Sequence, residues 1–119
     1  KSPKDGRTVY GPLQAMMKLS FDKPGADAVK ESVDWWFPGE GKFCHEPAVV
    51  CKPGAVDEDD VWVLSVVFDS VNNTSELVIL DGKDYAKGPL AVCKLPMLVP
   101  YGVHGGWTDD HICGPPKAA

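Results

Sequence analysis

The chain has 119 residues, of which 44% are hydrophobic and 24% charged, a balance typical of globular proteins and unlike that of disordered or fibrous chains. The net charge of −5 and the lack of clustered lysines and arginines argue against a nucleic-acid partner. No apolar run approaches the ~20 residues needed to span a bilayer, and no signal-peptide pattern opens the chain.

The predicted elements are strands throughout. Residues 13–21 and 29–37, separated by turn formers at 22–25, predict a β-hairpin. The run at 61–68 is rich in β-branched residues and lacks strict alternation, which is typical of a strand covered on both faces. Together with three shorter apolar runs it predicts an up-and-down antiparallel sheet with strands at 47–51, 61–68, 77–80 and 90–95.

This order indicates an all-β fold, and meandering sheets in succession favour a β-propeller over the plainer alternative, a compact sandwich. We expect a leader or linker at 1–12, the outer strands of one blade at 13–37, a four-stranded blade at 38–107 and a Gly- and Pro-rich tail at 108–119. About one and a half blades leave broad apolar faces uncovered, so most of such a propeller lies outside these residues.

Cysteines and acidic residues offer weaker candidate sites. The irregular spacing of the four cysteines favours free thiols over disulfides. These cysteines are Cys44, Cys51, Cys93 and Cys113. A zinc site from Cys44, His45 and Cys51 lacks the usual paired spacing. The acidic run at 57–60 suits either calcium or a solvated loop. Residues 72–75 contain glycosylation acceptors, but they are also ordinary turn formers between strands.

A single histidine stands among glycines near the end of the chain. His104 lies between Gly102 and Gly105, straight after a predicted strand end. Flanking residues of little bulk let the ring turn a nitrogen toward a metal, because no neighbouring Cβ blocks the approach. A satisfied turn histidine is the alternative for this pattern.

Several segments between Gln14 and Trp107 follow the order and spacing of one protein family. They comprise residues 58–69 and 77–84 and the stretches Phe43-Cys44-His45-Glu46-Pro47-Ala48-Val49-Val50, Lys94-Leu95-Pro96 and Val99-Pro100-Tyr101-Gly102-Val103-His104-Gly105. Together they resemble the C-terminal end of the carotenoid cleavage oxygenases, a family that includes plant carotenoid dioxygenases, the retinal-pigment isomerase and stilbene-cleaving enzymes. The resemblance implies a fragment of a seven-bladed β-propeller, with residues 38–107 as its C-terminal blade.

The resemblance also implies roles for two residues. His104 matches the last of four histidines that hold an axial non-haem Fe(II), and imidazole suits iron. Glu46 matches a glutamate that accepts a hydrogen bond from the distal nitrogen of an iron histidine and fixes its tautomer, the alternative being an exposed turn carboxylate. Since His45 and His111 are not at the family's ligand positions, Fe(II) is expected only if the rest of the propeller is present.

Other residues near these motifs receive structural interpretations. His45 is expected to be packed or at the surface, and His111 to be solvated in the tail. Val103 stands where the family often has an aromatic residue, which would leave space near a metal. Trp35 and Trp36 are adjacent on a predicted strand and therefore point to opposite faces, so that at least one belongs to the core.

Two functions follow from the resemblance. In the first, the chain is the C-terminal part of a non-haem iron oxygenase that uses O2 to cleave a double bond of a carotenoid or related apolar polyene. Its partners are then the missing N-terminal propeller portion or partner chains, the apolar substrate and a membrane surface. In the second, the chain is a non-catalytic structural or binding subunit, for instance of a pigment-protein membrane complex. The family resemblance suits a plastid or cytoplasmic location.

Overall fold

The structure, a computed structural model, describes residues 12–20, 33–102 and 104–109, and these residues are all-β, as predicted. They form seven strands: β1 (Met16–Leu19), β2 (Val33–Trp36), β3 (Lys42–Cys44), β4 (Ala48–Cys51), β5 (Val61–Asp69), β6 (Thr74–Asp81) and β7 (Ala91–Lys94). Within these ranges the structure has no helix long and apolar enough to cross a membrane.

The first two strands form the predicted hairpin. Strands β1 and β2 pair antiparallel, with Met16 opposite Trp36 and Leu19 opposite Val33. The described parts of both strands lie within the predicted ranges, and residues 21–32, which include the turn formers at 22–25, lie outside the described residues. Trp35 is 59% exposed, whereas Trp36 packs against the core, so the two rings face opposite sides of the hairpin as expected.

The remaining five strands form one antiparallel sheet. Strands β3 and β4 both pair with one edge of β5, β6 pairs with the other edge, and β7 pairs with β6. The four predicted strands are therefore confirmed as β4 to β7. Strand β3 was missed because three residues carry too little periodicity, and only its pairing with the far end of β5 defines it.

The turn between β5 and β6 is tighter than predicted, and β6 begins at Thr74 rather than at Leu77. Asp69 Oδ1 accepts hydrogen bonds from the amides of Val71 (3.0 Å) and Asn72 (2.9 Å). Asn73 adopts a left-handed backbone with φ of 53°, a conformation that asparagine tolerates. Residues 72–75 thus serve as the turn and the start of a strand.

The sheet has one buried face and one half-exposed face. Along β5 the residues alternate between buried and half-buried, although the sequence predicted cover on both faces. The hairpin and Tyr85 cover the first face, where the core consists of Met16, Cys44, Val61, Val63, Val67, Val78, Leu80 and Tyr85, with Trp36 packed against it. The second face carries apolar side chains of β5 that the described residues cover only in part: Trp62, Leu64, Val66 and Phe68.

Polar contacts fix the hairpin to the sheet. Lys18 Nζ lies 2.9 Å from Asp59 Oδ2 and donates to the Gly82 carbonyl at 2.9 Å. The Tyr85 amide donates to Asp34 Oδ2 at 2.6 Å. The hairpin therefore packs as a second layer on the blade, while the predicted boundaries at 12, 37 and 107 stay a prediction.

Candidate metal centre

A β-bulge between β3 and β4 displaces Glu46 from the strand ladder. Cys44 pairs with Val67 and Ala48 pairs with Leu64, so residues 45–47 oppose only residues 65–66. One extra residue on one strand defines a bulge, and bulges re-aim side chains next to functional sites. Pro47 has no amide hydrogen to donate, so no ladder hydrogen bond is lost by placing it in this gap.

Backbone contacts of His45 hold the bulge in place. The His45 amide donates to the Val66 carbonyl at 2.8 Å. The hydroxyl of Ser65, a buried residue of β5, donates to the His45 carbonyl, also at 2.8 Å. These two bonds replace the regular ladder and leave the Glu46 side chain free to reach another segment.

The segment that follows β7 carries His104. The prediction that His104 comes straight after a strand end is wrong, because β7 ends at Lys94 and residues 95–102 form no strand. Pro96 and Pro100 lack amide hydrogens and so interrupt pairing in this segment. Ser75 holds it on the sheet through its carbonyl, which accepts from the Leu95 amide at 2.9 Å, and through its Oγ, which accepts from the Val99 amide at 3.0 Å.

The structure brings Glu46 and His104 together across 58 positions of sequence. His104 Nδ1 lies 3.3 Å from Glu46 Oε2 and 3.4 Å from Oε1. The Gly105 amide donates to the same Oε2 at 2.8 Å. The carboxylate therefore holds both the ring and the backbone beside it.

The charge of Glu46 decides the tautomer of a neutral His104. The hydrogen bond from the Gly105 amide and the neighbouring His104 ring lower the pKa of Glu46 below its ordinary value. An ionised carboxylate can only accept hydrogen bonds, so Nδ1 of His104 must be the nitrogen that carries hydrogen. In the neutral ring, Nε2 then keeps its lone pair, which is the form that binds a metal.

The site is open to its surroundings. The side chain of His104 is 85% exposed and that of Glu46 40% exposed. A Cβ added at Gly105 or Gly106 would meet no atom within 4 Å, so these glycines leave the approach to the ring unobstructed. The two polar side chains border a cleft of about 330 Å³ whose other walls include Leu64, Val66 and Trp107.

The other candidate sites of the sequence take structural roles. His45 is 8% exposed, which agrees with a packed histidine. Cys44, Cys51 and Cys93 are free thiols, and no group of three or more His, Cys, Asp or Glu residues in the described ranges is placed to hold a metal. Neither the zinc nor the calcium interpretation is therefore supported there. Three named residues lie outside the described ranges: Val103, His111 and Cys113.

Acidic side chains at 57–60 pair with lysines. Asp59 pairs with Lys18 at 2.9 Å, and Asp60 with Lys83 at 2.8 Å. Asp57 also contacts Lys83, at 3.3 Å. These ion pairs lower the pKa values of Asp59 and Asp60, and they match the loop interpretation of the run.

Two residues that organise the site were missed from the sequence. Ser65 holds the bulge and Tyr101 packs its ring against His45. A serine inside an otherwise apolar buried strand is the signal that points to Ser65, because a buried hydroxyl needs a partner. Nothing in the sequence pattern marks Tyr101, whose contact depends on the path of the segment after β7.

Comparison with protein families places the chain within a known group. The model of the family described as retinal pigment epithelial membrane protein matches residues 2–109. The chain is 36% identical over 102 residues to apocarotenoid-15,15'-oxygenase of Synechocystis, covering 86% of this chain and 19% of that protein. It is 40% identical over 105 residues to isoeugenol monooxygenase of Pseudomonas nitroreducens, covering 87% of this chain and 22% of that protein.

Solved structures give the same result for the fold. Cobalt-substituted Synechocystis ACO aligns with a TM-score of 0.71 and 34% identity, covering 85% of this chain and 20% of that chain. An ACO/RPE65 chimera aligns with a TM-score of 0.72 and 32% identity, covering 85% and 20%. These structures are seven-bladed β-propellers. The chain thus spans about a fifth of the length of the relatives it matches.

Proposed function

The chain belongs to the retinal pigment epithelial membrane protein family, the carotenoid cleavage oxygenases, and on this premise we propose that the complete protein is a non-haem iron oxygenase. It uses O2 to cleave a double bond of a carotenoid or a related apolar polyene. The chain described above forms the last blade and part of the preceding one.

The contact between Glu46 and His104 carries this proposal. A metal-binding histidine usually donates its other ring N–H to a carboxylate, which fixes the tautomer and the direction of the ring. Glu46 occupies that position at 3.3 Å, and the Gly105 amide holds its carboxylate in place. The same pair fits no role in packing, because His104 is 85% exposed at its side chain.

This chain would provide one ligand of an iron site. His104 would contribute Nε2, and Glu46 would orient the ring from outside the ligand sphere. Since the described residues hold no cluster of three ligating side chains, the remaining histidines would come from the other blades. Fe(II) held in this way would supply the oxygen chemistry of the reaction.

The half-exposed face of the sheet supports the view that other blades complete the protein. It presents Trp62, Leu64 and Ile79 in an apolar cleft of about 430 Å³ beside Trp107. Contiguous apolar faces of this kind are rarely left exposed, and where they are exposed they mark interaction surfaces. We therefore assign the missing N-terminal propeller portion as the partner that covers this face.

The names of the relatives suggest the substrate class. They include an apocarotenoid oxygenase, a carotenoid cleavage dioxygenase from Arabidopsis chloroplasts, and oxygenases named for lignostilbene and resveratrol. These names point to oxygenation or cleavage of carotenoid-derived and stilbene compounds, and isoeugenol is named in a further relative. No observation on the described part of the chain favours the alternative of a non-catalytic subunit.

The test is an assay of the complete gene product loaded with Fe(II). The protein is incubated in air with an apocarotenoid and with a hydroxystilbene, and the aldehydes formed by double-bond cleavage are identified by mass spectrometry. Cleavage of either alkene, dependent on Fe(II), supports the proposal. An iron-loaded protein that cleaves neither compound, nor any carotenoid, contradicts it.

A further inference from the structure

His45 belongs to the segment that carries Glu46 and contacts the segment that carries His104. Its backbone is fixed to β5 by bonds to Val66 and Ser65, both 2.8 Å long. Its ring meets the ring of Tyr101 edge to face, with centroids 4.9 Å apart and planes at 61°. Glu46 follows His45 directly, and Tyr101 lies just before His104 on the other segment.

A third segment meets the same ring pair. The Leu13 amide donates to the Tyr101 hydroxyl at 3.3 Å, and the Leu13 carbonyl accepts from the Cys44 amide at 2.7 Å. Tyr101 thus contacts Leu13 through its hydroxyl and His45 through its ring. A Cβ at Gly102 would lie 4.0 Å from His45 Nδ1, so the imidazole also lies beside the backbone at Gly102.

His45 meets Tyr101 through its ring, and its Nε2 makes no competing hydrogen bond among the described residues. The residue is buried. Burial lowers the pKa of His45, which favours the neutral ring. Edge-to-face aromatic pairs are favourable and directional, so they fix orientation as well as distance.

We propose that the ring contact between His45 and Tyr101 is a positioning device that sets the Glu46–His104 pair for metal binding. This inference rests on the proposed function, since it assumes that His104 binds iron. Neither His45 nor Tyr101 would touch the metal. Their effect on it passes through the two segments they join, and ends at the 3.3 Å contact between Glu46 and His104.

The experiment measures Fe(II) affinity of the complete protein, without oxygen, by competition with a chelator. Four variants form the core of the test: His45→Ala, His45→Phe, Glu46→Ala and the double variant of His45→Ala with Glu46→Ala. Val63→Ala, which truncates a core residue on the opposite face, is the matched control for general loss of stability. Its thermal midpoint should fall while its affinity stays unchanged.

We expect His45→Ala to weaken Fe(II) binding roughly tenfold, near the lower end of the range for losing an outer partner of a metal ligand. The double variant should bind no more weakly than Glu46→Ala alone, because the two residues act through one contact. His45→Phe keeps a ring and should restore affinity. Tyr101→Leu, which removes the partner ring, should repeat the loss and serves if His45→Ala does not fold.

The inference is overturned if His45→Ala binds Fe(II) normally while Glu46→Ala does not. Additive losses in the double variant, failure of His45→Phe to restore binding, or an equal loss in Val63→Ala would also overturn it, since each indicates a purely structural role. A different result tests the proposed function itself. If neither Glu46→Ala nor His104→Ala changes Fe(II) affinity, His104 is not a ligand and both proposals fail.

Discussion

Replacing Glu46 by glutamine keeps the shape of the side chain and removes its charge. In the native site Oε2 lies 3.3 Å from His104 Nδ1 and 2.8 Å from the Gly105 nitrogen, while Oε1 lies 3.4 Å from Nδ1. Glutamine offers one oxygen where glutamate offers two. If that oxygen keeps the bond from Gly105, the amide NH2 faces Nδ1 and donates to it. This favours the tautomer with hydrogen on Nε2, and a nitrogen that carries hydrogen cannot bind a metal.

We expect Glu46→Gln to weaken the Fe(II) affinity of the complete protein by ~10–100-fold, the usual effect of losing such a partner. Anaerobic competition with a chelator measures it. Glu58→Gln makes the same change of charge in the exposed acidic loop and should leave affinity unaltered. Native affinity in Glu46→Gln would refute the reasoning from the tautomer, as would an equal loss in Glu58→Gln.

Three further predictions concern the fold. Gly82→Ala should lower the free energy of unfolding by about 1–3 kcal/mol, because the added Cβ would meet Val61 and lie 2.7 Å from a backbone carbonyl oxygen. Gly106→Ala places its Cβ in open space and should leave the free energy of unfolding, measured with denaturant, unchanged. Burial raises the pKa of the Cys44 thiol to about 11, so at pH 8 an alkylating reagent should leave Cys44 unmodified. The same reagent should modify the exposed Cys51 and Cys93, and peptide mass spectrometry measures both outcomes. Expressed alone, the chain should aggregate or need a partner, since its second face is apolar and the outer edges of β4 and β7 have no partner strand among the described residues. A monodisperse monomer with a cooperative melt in light scattering and calorimetry would contradict this.

Local patterns were sufficient to predict most strands. The hairpin and β4 to β7 each carry a run of apolar or β-branched residues bounded by turn formers, and such runs need no knowledge of distant residues. The length of β6 was underestimated because Thr74 and Ser75 resemble turn residues, yet their pairing with Asp69 and Phe68 extends the ladder. Pairing between strands overrides local propensity in such cases.

The geometry of the site could not be predicted in the same way. The bulge at 45–47 exists only because Cys44 and Ala48 select particular partners on β5, and that register is a property of the folded sheet. The family resemblance assigned roles to Glu46 and His104, but not the path by which they meet. The expectation of a strand end before His104 failed because β7 already ends at Lys94, and Pro96 and Pro100 lack the amide hydrogens that a further strand would donate.

Iron content of the His104→Ala variant tests the central claim most directly. The complete protein and the variant are purified side by side, and bound iron is measured by elemental analysis together with double-bond cleavage of the substrate found for the native protein. We predict that the variant loses most of its iron and all of its cleavage activity, because the remaining imidazoles hold Fe(II) less tightly and leave the oxygen site misshapen. Unchanged iron content and turnover in a folded variant would contradict the assignment of His104 as a ligand.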